Sequence, residues 1–147
     1  MRDEVALSLS CVETLINLKP DTDVLKSFRA RARSIPADMS VHGFTYILAL
    51  LAARSSREAL EQGLRLDNCE ELAEAIIRSK DLSSEKKGYG LYGAMILHIL
   101  KRLNVVRDVD KFGDLIIKVA DDPIVELKAK IVMEWLKRFS EAYLSGL

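Results

Sequence analysis

The stretch DPIVELKAKIVMEWLKRFSEAYL, residues 122–144, decides the fold class. Asp122 can accept from the free N–H groups of a helix start, and Pro123 at the first position loses nothing by lacking an N–H. No further proline or glycine follows before Gly146. Ile124, Leu127, Ile131, Trp135, Leu136, Phe139 and Tyr143 recur at three- and four-residue spacing on one broad side. Glu126, Lys130, Glu134, Lys137 and Glu141 run down the other. That is the pattern of an amphipathic helix, with opposite charges at i, i+3 and i, i+4 adding about 0.2–0.5 kcal/mol per pair along a solvent-facing stripe.

The same periodicity extends through the rest of the chain, and no run alternates apolar and polar residues as a half-buried strand would. The three prolines, Pro20, Pro36 and Pro123, stand where helices should begin or break. The pattern predicts helices over about 3–18, 22–35, 41–53, 70–79, 86–103 and 108–120, besides the one ending near Leu144. Ser55 with Glu58 reads as a capping box for a short helix, and Asp67 with Glu70 as another. Pro36 is expected to end the second helix. On the helix over 41–53, Phe44, Ile47, Leu48 and Leu51 form one face and His42, Tyr46, Ala49 and Ala53 the opposite one. A helix apolar or small all round belongs in the middle of a bundle. The helix over 86–103 is similar, and Gly90 and Gly93 would let a neighbour come close inside the core. The expected fold is all-α, a compact single-domain bundle of about six to seven helices spanning residues 1–147.

Composition agrees. The chain has 147 residues, 49% hydrophobic and 30% charged, which supplies a core that a disordered chain would lack. With 22 basic and 22 acidic side chains the formal net charge is zero, so the chain is not basic throughout, although a local basic patch is compatible with it. Gly43–Ala53 and Tyr89–Leu100 are the longest apolar stretches, well short of the ~18 residues that cross a bilayer. Cys11 and Cys69 form no CxxC pair and read as two isolated thiols, small buried hydrophobes suited to a reducing compartment. Asp3 and Glu4 near the start, with no small-residue cleavage site, do not fit a signal peptide. These features predict a cytoplasmic protein.

A search for catalytic chemistry returns bland explanations. His98 has no His, Cys or carboxylate three or four residues away and His42 has a single acid, Asp38, which is no metal cluster, so each reads as a core or interface histidine with a hydrogen-bond partner. Asp121–Asp122 and Glu70–Glu71 lie at helix starts, where acids cap N–H groups and offset the dipole. There is no GxSxG, Walker loop or GxGxxG, and the glycines of Gly88–Gly93 lie within a helical pattern. No enzymatic activity, metal or cofactor is expected.

The basic second helix has more functional content. Lys26, Arg29, Arg31 and Arg33 crowd it, while Val24, Leu25, Phe28, Ala32 and Ile35 share its apolar face. Lys26 and Arg33 point away from that face and Arg29 to the side, a stripe that could neutralise phosphates along a strand. A solvated face engaged in salt bridges is the alternative. Arg31 sits beside the apolar face, where its guanidinium would cross an interface or meet a buried acid. Lys86–Lys87, Lys101–Arg102 and Lys137–Arg138 could join the same patch after folding.

Three segments carry a resemblance. Met133-Glu134-Trp135-Leu136-Lys137-Arg138-Phe139-Ser140-Glu141-Ala142 resembles the C-terminal signature of the small subunit of the Cmr complex, the type III-B CRISPR effector, with Ser140 where alanine is usual. Arg29–Pro36 followed by Gly43-Phe44 resembles that family's basic helix, proline break and glycine-led helix. Tyr89–Leu103 is a weaker match. The segments cover about half the chain, in order. The resemblance implies a helical bundle without nuclease activity, with copies stacked into a filament against larger subunits, where guide and target RNA pair. It further implies backbone contacts from the basic helix, through Lys26, Arg29 and Arg33; Lys137 and Arg138 are expected to join them, and Arg31 and Trp135 to make subunit contacts. Base pairing supplies specificity in such systems, so the protein need only hold backbone. A helical protein–protein adaptor without nucleic acid is the other reading of the same bundle.

Overall fold

Helix α6, Ser84–Arg102, is the axis around which most of the other helices pack: Gly88 and every residue from Gly90 to Leu100 are buried. The computed structural model describes all 147 residues, with no strand. The remaining helices are α1 (Arg2–Asn17), α2 (Thr22–His42), α3 (Phe44–Arg54), α4 (Arg57–Arg65), α5 (Cys69–Ile77), α7 (Phe112–Val119) and α8 (Pro123–Leu144). The all-α expectation holds. The count is eight rather than six to seven, because the short segment after Ser56 makes a full nine-residue helix.

Close approach to α6 depends on glycine. A Cβ on Gly63 of α4 would lie 2.1 Å from the Ala94 carbonyl oxygen, and one on Gly90 would lie 2.6 Å from the Ser55 Oγ. Gly93 faces Leu60 in the same way, so Gly90 and Gly93 do serve close core packing, as their sequence context predicts. One continuous core of 36 buried residues results, with Tyr92 and Phe28 meeting edge to face at 6.2 Å.

Helix α2 passes through Pro36 instead of ending there. Val24, Phe28, Ala32, Ile35 and Met39 continue a single buried face on both sides of the proline, and this packing outweighs the lost N–H. The break comes seven residues later at Gly43, whose φ of 83° an ordinary residue would strain to adopt. There the Phe44 N–H donates to Glu126 Oε1 at 2.6 Å, so α8 caps the start of α3.

Helix α3 is not central. Phe44, Ile47, Leu48 and Leu51 are buried, whereas Tyr46, Ala49 and Ala53 are exposed. On α8 the core contact is made by Val125, Ala129, Val132, Met133, Leu136, Ser140 and Leu144. The face expected to be buried is displaced, so Ile124 and Leu127 are more than half exposed and Ile131 and Trp135 half-buried.

Caps are local and mostly one residue from expectation. Asp122 accepts from the N–H groups of Ile124 and Val125, with Pro123 at the first position. The other caps are Ser56 rather than Ser55, accepting from Ala59 N–H, and Asn68 rather than Asp67, accepting from Glu71 N–H. Helix α7 starts at Phe112, later than Asp108, which has φ 60°. Buried Glu61 accepts from the Phe112 N–H at 2.7 Å and meets Arg65 at 3.4 Å.

The two cysteines are buried but not free. Cys11 and Cys69 form a disulfide joining α1 to α5, with Cα atoms 5.4 Å apart. The expectation of two isolated thiols is therefore corrected. Fifty-eight positions separate the two cysteines, so only the folded packing of α1 on α5 brings them together. No helix is long and apolar enough to cross a membrane.

Candidate nucleic-acid interface

The basic residues of α2 divide into two kinds. Lys26 and Arg33 are exposed and form no ion pair or side-chain hydrogen bond. Arg29 is half-buried, and its Nη1 donates to the carbonyl oxygens of Leu144 at 3.1 Å and Leu147 at 2.7 Å. It closes the end of α8, where four carbonyl groups lack intrahelical partners and the helix dipole favours a cation. Arg31 lies over the Tyr89 ring at 4.2 Å, so its guanidinium crosses to α6 within the chain and meets an aromatic face rather than an acid. Its Nε has no hydrogen-bond partner.

Helices α2 and α8 run antiparallel: Arg29 meets Leu144 at one end, and Phe44, just past α2, meets Glu126 at the other. Arg33 stands about one turn along from Arg29, which brings it level with the turn of α8 that carries Lys137. Lys137 is half-buried and unpaired. Arg138 is held by two carboxylates, Glu134 and Glu141, each at 3.2 Å. Ser27 donates to the Glu85 carbonyl oxygen at 2.8 Å, so the start of α6, with Lys86 and Lys87, lies beside Lys26. Lys101 is diverted elsewhere, donating to the Leu64 carbonyl oxygen at 2.8 Å. The cations without a protein partner on this side are thus Lys26, Arg33 and Lys137, with Lys86 and Lys87 adjoining. Trp135 stacks on Phe139, 5.6 Å between ring centres and 24° apart, and lies outside the core cluster.

Both histidines depart from expectation. His42 is exposed and stacks on Tyr46 at 4.3 Å. His98 is buried, but its Nδ1 has no hydrogen-bond partner. Burial pushes its imidazole down to about 4, and the nearby charges of Arg102 and Lys101 push the same way. His98 lines one cleft with the Cys11–Cys69 disulfide, a convergence their sequence spacing did not indicate. No group of three or more His, Cys, Asp or Glu side chains is placed to hold a metal ion.

No protein-family model matches the chain, and no curated protein or solved structure does.

Proposed function

We propose that this chain is a non-catalytic small subunit of a type III-B CRISPR (Cmr) effector, stacking on further copies and holding RNA by its backbone. One observation carries the reading. The segments with the resemblance lie on α2, α6 and α8, which are neighbours: α2 packs along both α6 and α8. A resemblance scattered over unrelated surfaces would mean less. The face they share presents Lys26, Arg33 and Lys137 without protein partners, which suits sequence-independent phosphate contact. Arg29 and Arg138 belong less to that role, since each already has oxygen partners.

Stacking has separate support. Val41, Tyr46, Ile124 and Leu127 are exposed near the point where Glu126 meets the start of α3, an apolar end suited to a neighbouring subunit. A contact that does not close on itself propagates as a filament. This end equally favours the second reading, an adaptor that binds proteins alone. RNA binding separates the two. A cytoplasmic location belongs to the proposal and carries a condition. Stable disulfides inside cells are characteristic of hyperthermophiles, so the Cys11–Cys69 bond fits an organism of that kind.

The deciding experiment measures binding of unstructured single-stranded RNA over a series of salt concentrations. The triple variant Lys26→Ala, Arg33→Ala, Lys137→Ala should bind more weakly, with a log–log salt slope lower by roughly 0.7 per lost contact. Wild-type affinity and slope in the triple variant would reject the basic face, and no RNA binding by the wild type would favour the adaptor.

A further inference from the structure

Of the three arginines on α2, Arg31 alone is held by a ring: its guanidinium lies 4.2 Å from the centre of Tyr89 on α6. A cation drawn partly into a protein is ordinarily paired with an acid. Arg31 is half-buried, yet it forms no ion pair and no side-chain hydrogen bond. Burial seals off only its Nε. The two terminal nitrogens stay open to solvent with their donors unused. We infer that Arg31 is a nucleic-acid contact in its own right, its terminal nitrogens gripping a backbone phosphate of single-stranded RNA. This rests on the RNA reading above and extends it to the other flank of α2.

The flank is distinct. At 3.6 residues per turn, Arg31 and Arg33 point roughly 160° apart around the helix. Arg29 faces α8, whereas Arg31 faces α6. The seam between α2 and α6 is tight at this point, because a Cβ on Gly88 would lie 2.7 Å from the Phe28 backbone nitrogen. That closeness sets Tyr89, the next residue, against α2. Ser27 donates to the Glu85 carbonyl oxygen at 2.8 Å, and Arg31 stands one turn, ~6 Å, farther along α2. Lys86 and Lys87 open α6 within a turn of Tyr89, and neither has an ion pair. Glu85 is the acid beside them and pairs with none of the three.

Three unpaired cations along one seam suit successive phosphates better than the single carboxylate of a protein partner. A guanidinium takes two oxygens of one phosphate through its planar fork. Stacking on Tyr89 orients that fork before RNA arrives, so less freedom is lost on binding. Tyr89 is thus a positioning residue acting through Arg31.

The test titrates unstructured single-stranded RNA with the full chain at several salt concentrations, and sediments each protein alone. Arg31→Gln keeps a packed stem and loses the charge. It should bind about tenfold more weakly, the size of one charge-assisted contact. Its log–log salt slope should fall by roughly 0.7. Arg31→Lys and Tyr89→Leu keep the charge, so both should lose affinity at the wild-type slope, which a folding defect would not produce. Wild-type affinity and slope in Arg31→Gln overturn the contact. Wild-type affinity in both Arg31→Lys and Tyr89→Leu overturns the oriented fork. Self-association abolished by Arg31→Gln at unchanged RNA affinity assigns the arginine to a carboxylate of a second copy, and also overturns it. Failure of this site alone is recognisable: the triple variant of Lys26, Arg33 and Lys137 then weakens binding while Arg31→Gln does not. A wild type that binds no RNA rejects the underlying reading instead.

Discussion

The Arg29 guanidinium donates to the Leu144 carbonyl oxygen at 3.1 Å, across 115 positions of sequence. A side chain whose position on α2 suggested a phosphate contact instead ties that helix to the end of α8. With the second bond to Leu147, Arg29→Ala should cost about 1–3 kcal/mol of stability. Its effect on RNA affinity should be smaller than that of Lys26→Ala with Arg33→Ala. Urea unfolding paired with RNA titration checks both halves. A fully stable Arg29→Ala protein with lost RNA binding would reverse the assignment.

The Cys11–Cys69 bond should stabilise the fold. Closing a loop over 58 positions restricts the unfolded chain by about 4 kcal/mol in the chain-entropy model. For a chain of this length that corresponds to a fall in melting temperature of about 10 °C on reduction. Scanning calorimetry with and without a dithiol reductant, and with the Cys11→Ala, Cys69→Ala pair, measures it. Identical melting in all three would show that the cross-link contributes nothing.

His98 gives a pH dependence of known sign. Its folded pKa, about 4, lies below the ordinary value of 6.5, chiefly through burial. The unfolded chain therefore takes up a proton first as pH falls. The stability contribution is complete above about pH 6.5 and declines as pH drops toward 4. Between pH 7 and pH 5 the loss should be roughly 2 kcal/mol. Denaturant unfolding in phosphate-free buffer should show that slope in the wild type and a flatter one in His98→Phe. Equal slopes in the two proteins would remove His98 as the cause.

Two glycine substitutions should act in opposite directions. Gly63→Ala would drive a methyl into the Ala94 carbonyl and push α4 off α6, costing about 3 kcal/mol. Gly113 in α7 has nothing within 4 Å of an added Cβ, so Gly113→Ala should stabilise by about 0.5 kcal/mol. Thermal melts of the two proteins test the pair, and a tolerated Gly63→Ala would mean that the α4–α6 approach is not tight.

Local signals were legible and tertiary ones were not. Asp122 and Pro123 announce the start of α8 because cap chemistry is settled within one turn. Ser56 and Asn68 each follow another candidate cap, Ser55 and Asp67, and sequence cannot rank two adjacent polar residues that serve equally well. Pro36 reads as a stop, yet the buried stripe from Val24 to Met39 holds the helix together across it. The helical projection of α2 gave the directions of Lys26 and Arg33 correctly. It could not reveal that the end of α8 lies beside Arg29, or that Tyr89 lies under Arg31. For the same reason the disulfide and the cleft beside it, built from α1, α5 and α6, left no mark in residue spacing.

A helix buried on every side through its middle turns divides the labour of substitution. Because α6 shows no solvent face from Gly90 to Leu100, changes there are tested by packing alone, and drift there should be slow. The outward residues of α2, α3 and α8 carry no such duty and can be exchanged without disturbing the axis. Descendants of this sequence could therefore acquire new partners through their outer helices while keeping the glycine-lined shaft unchanged.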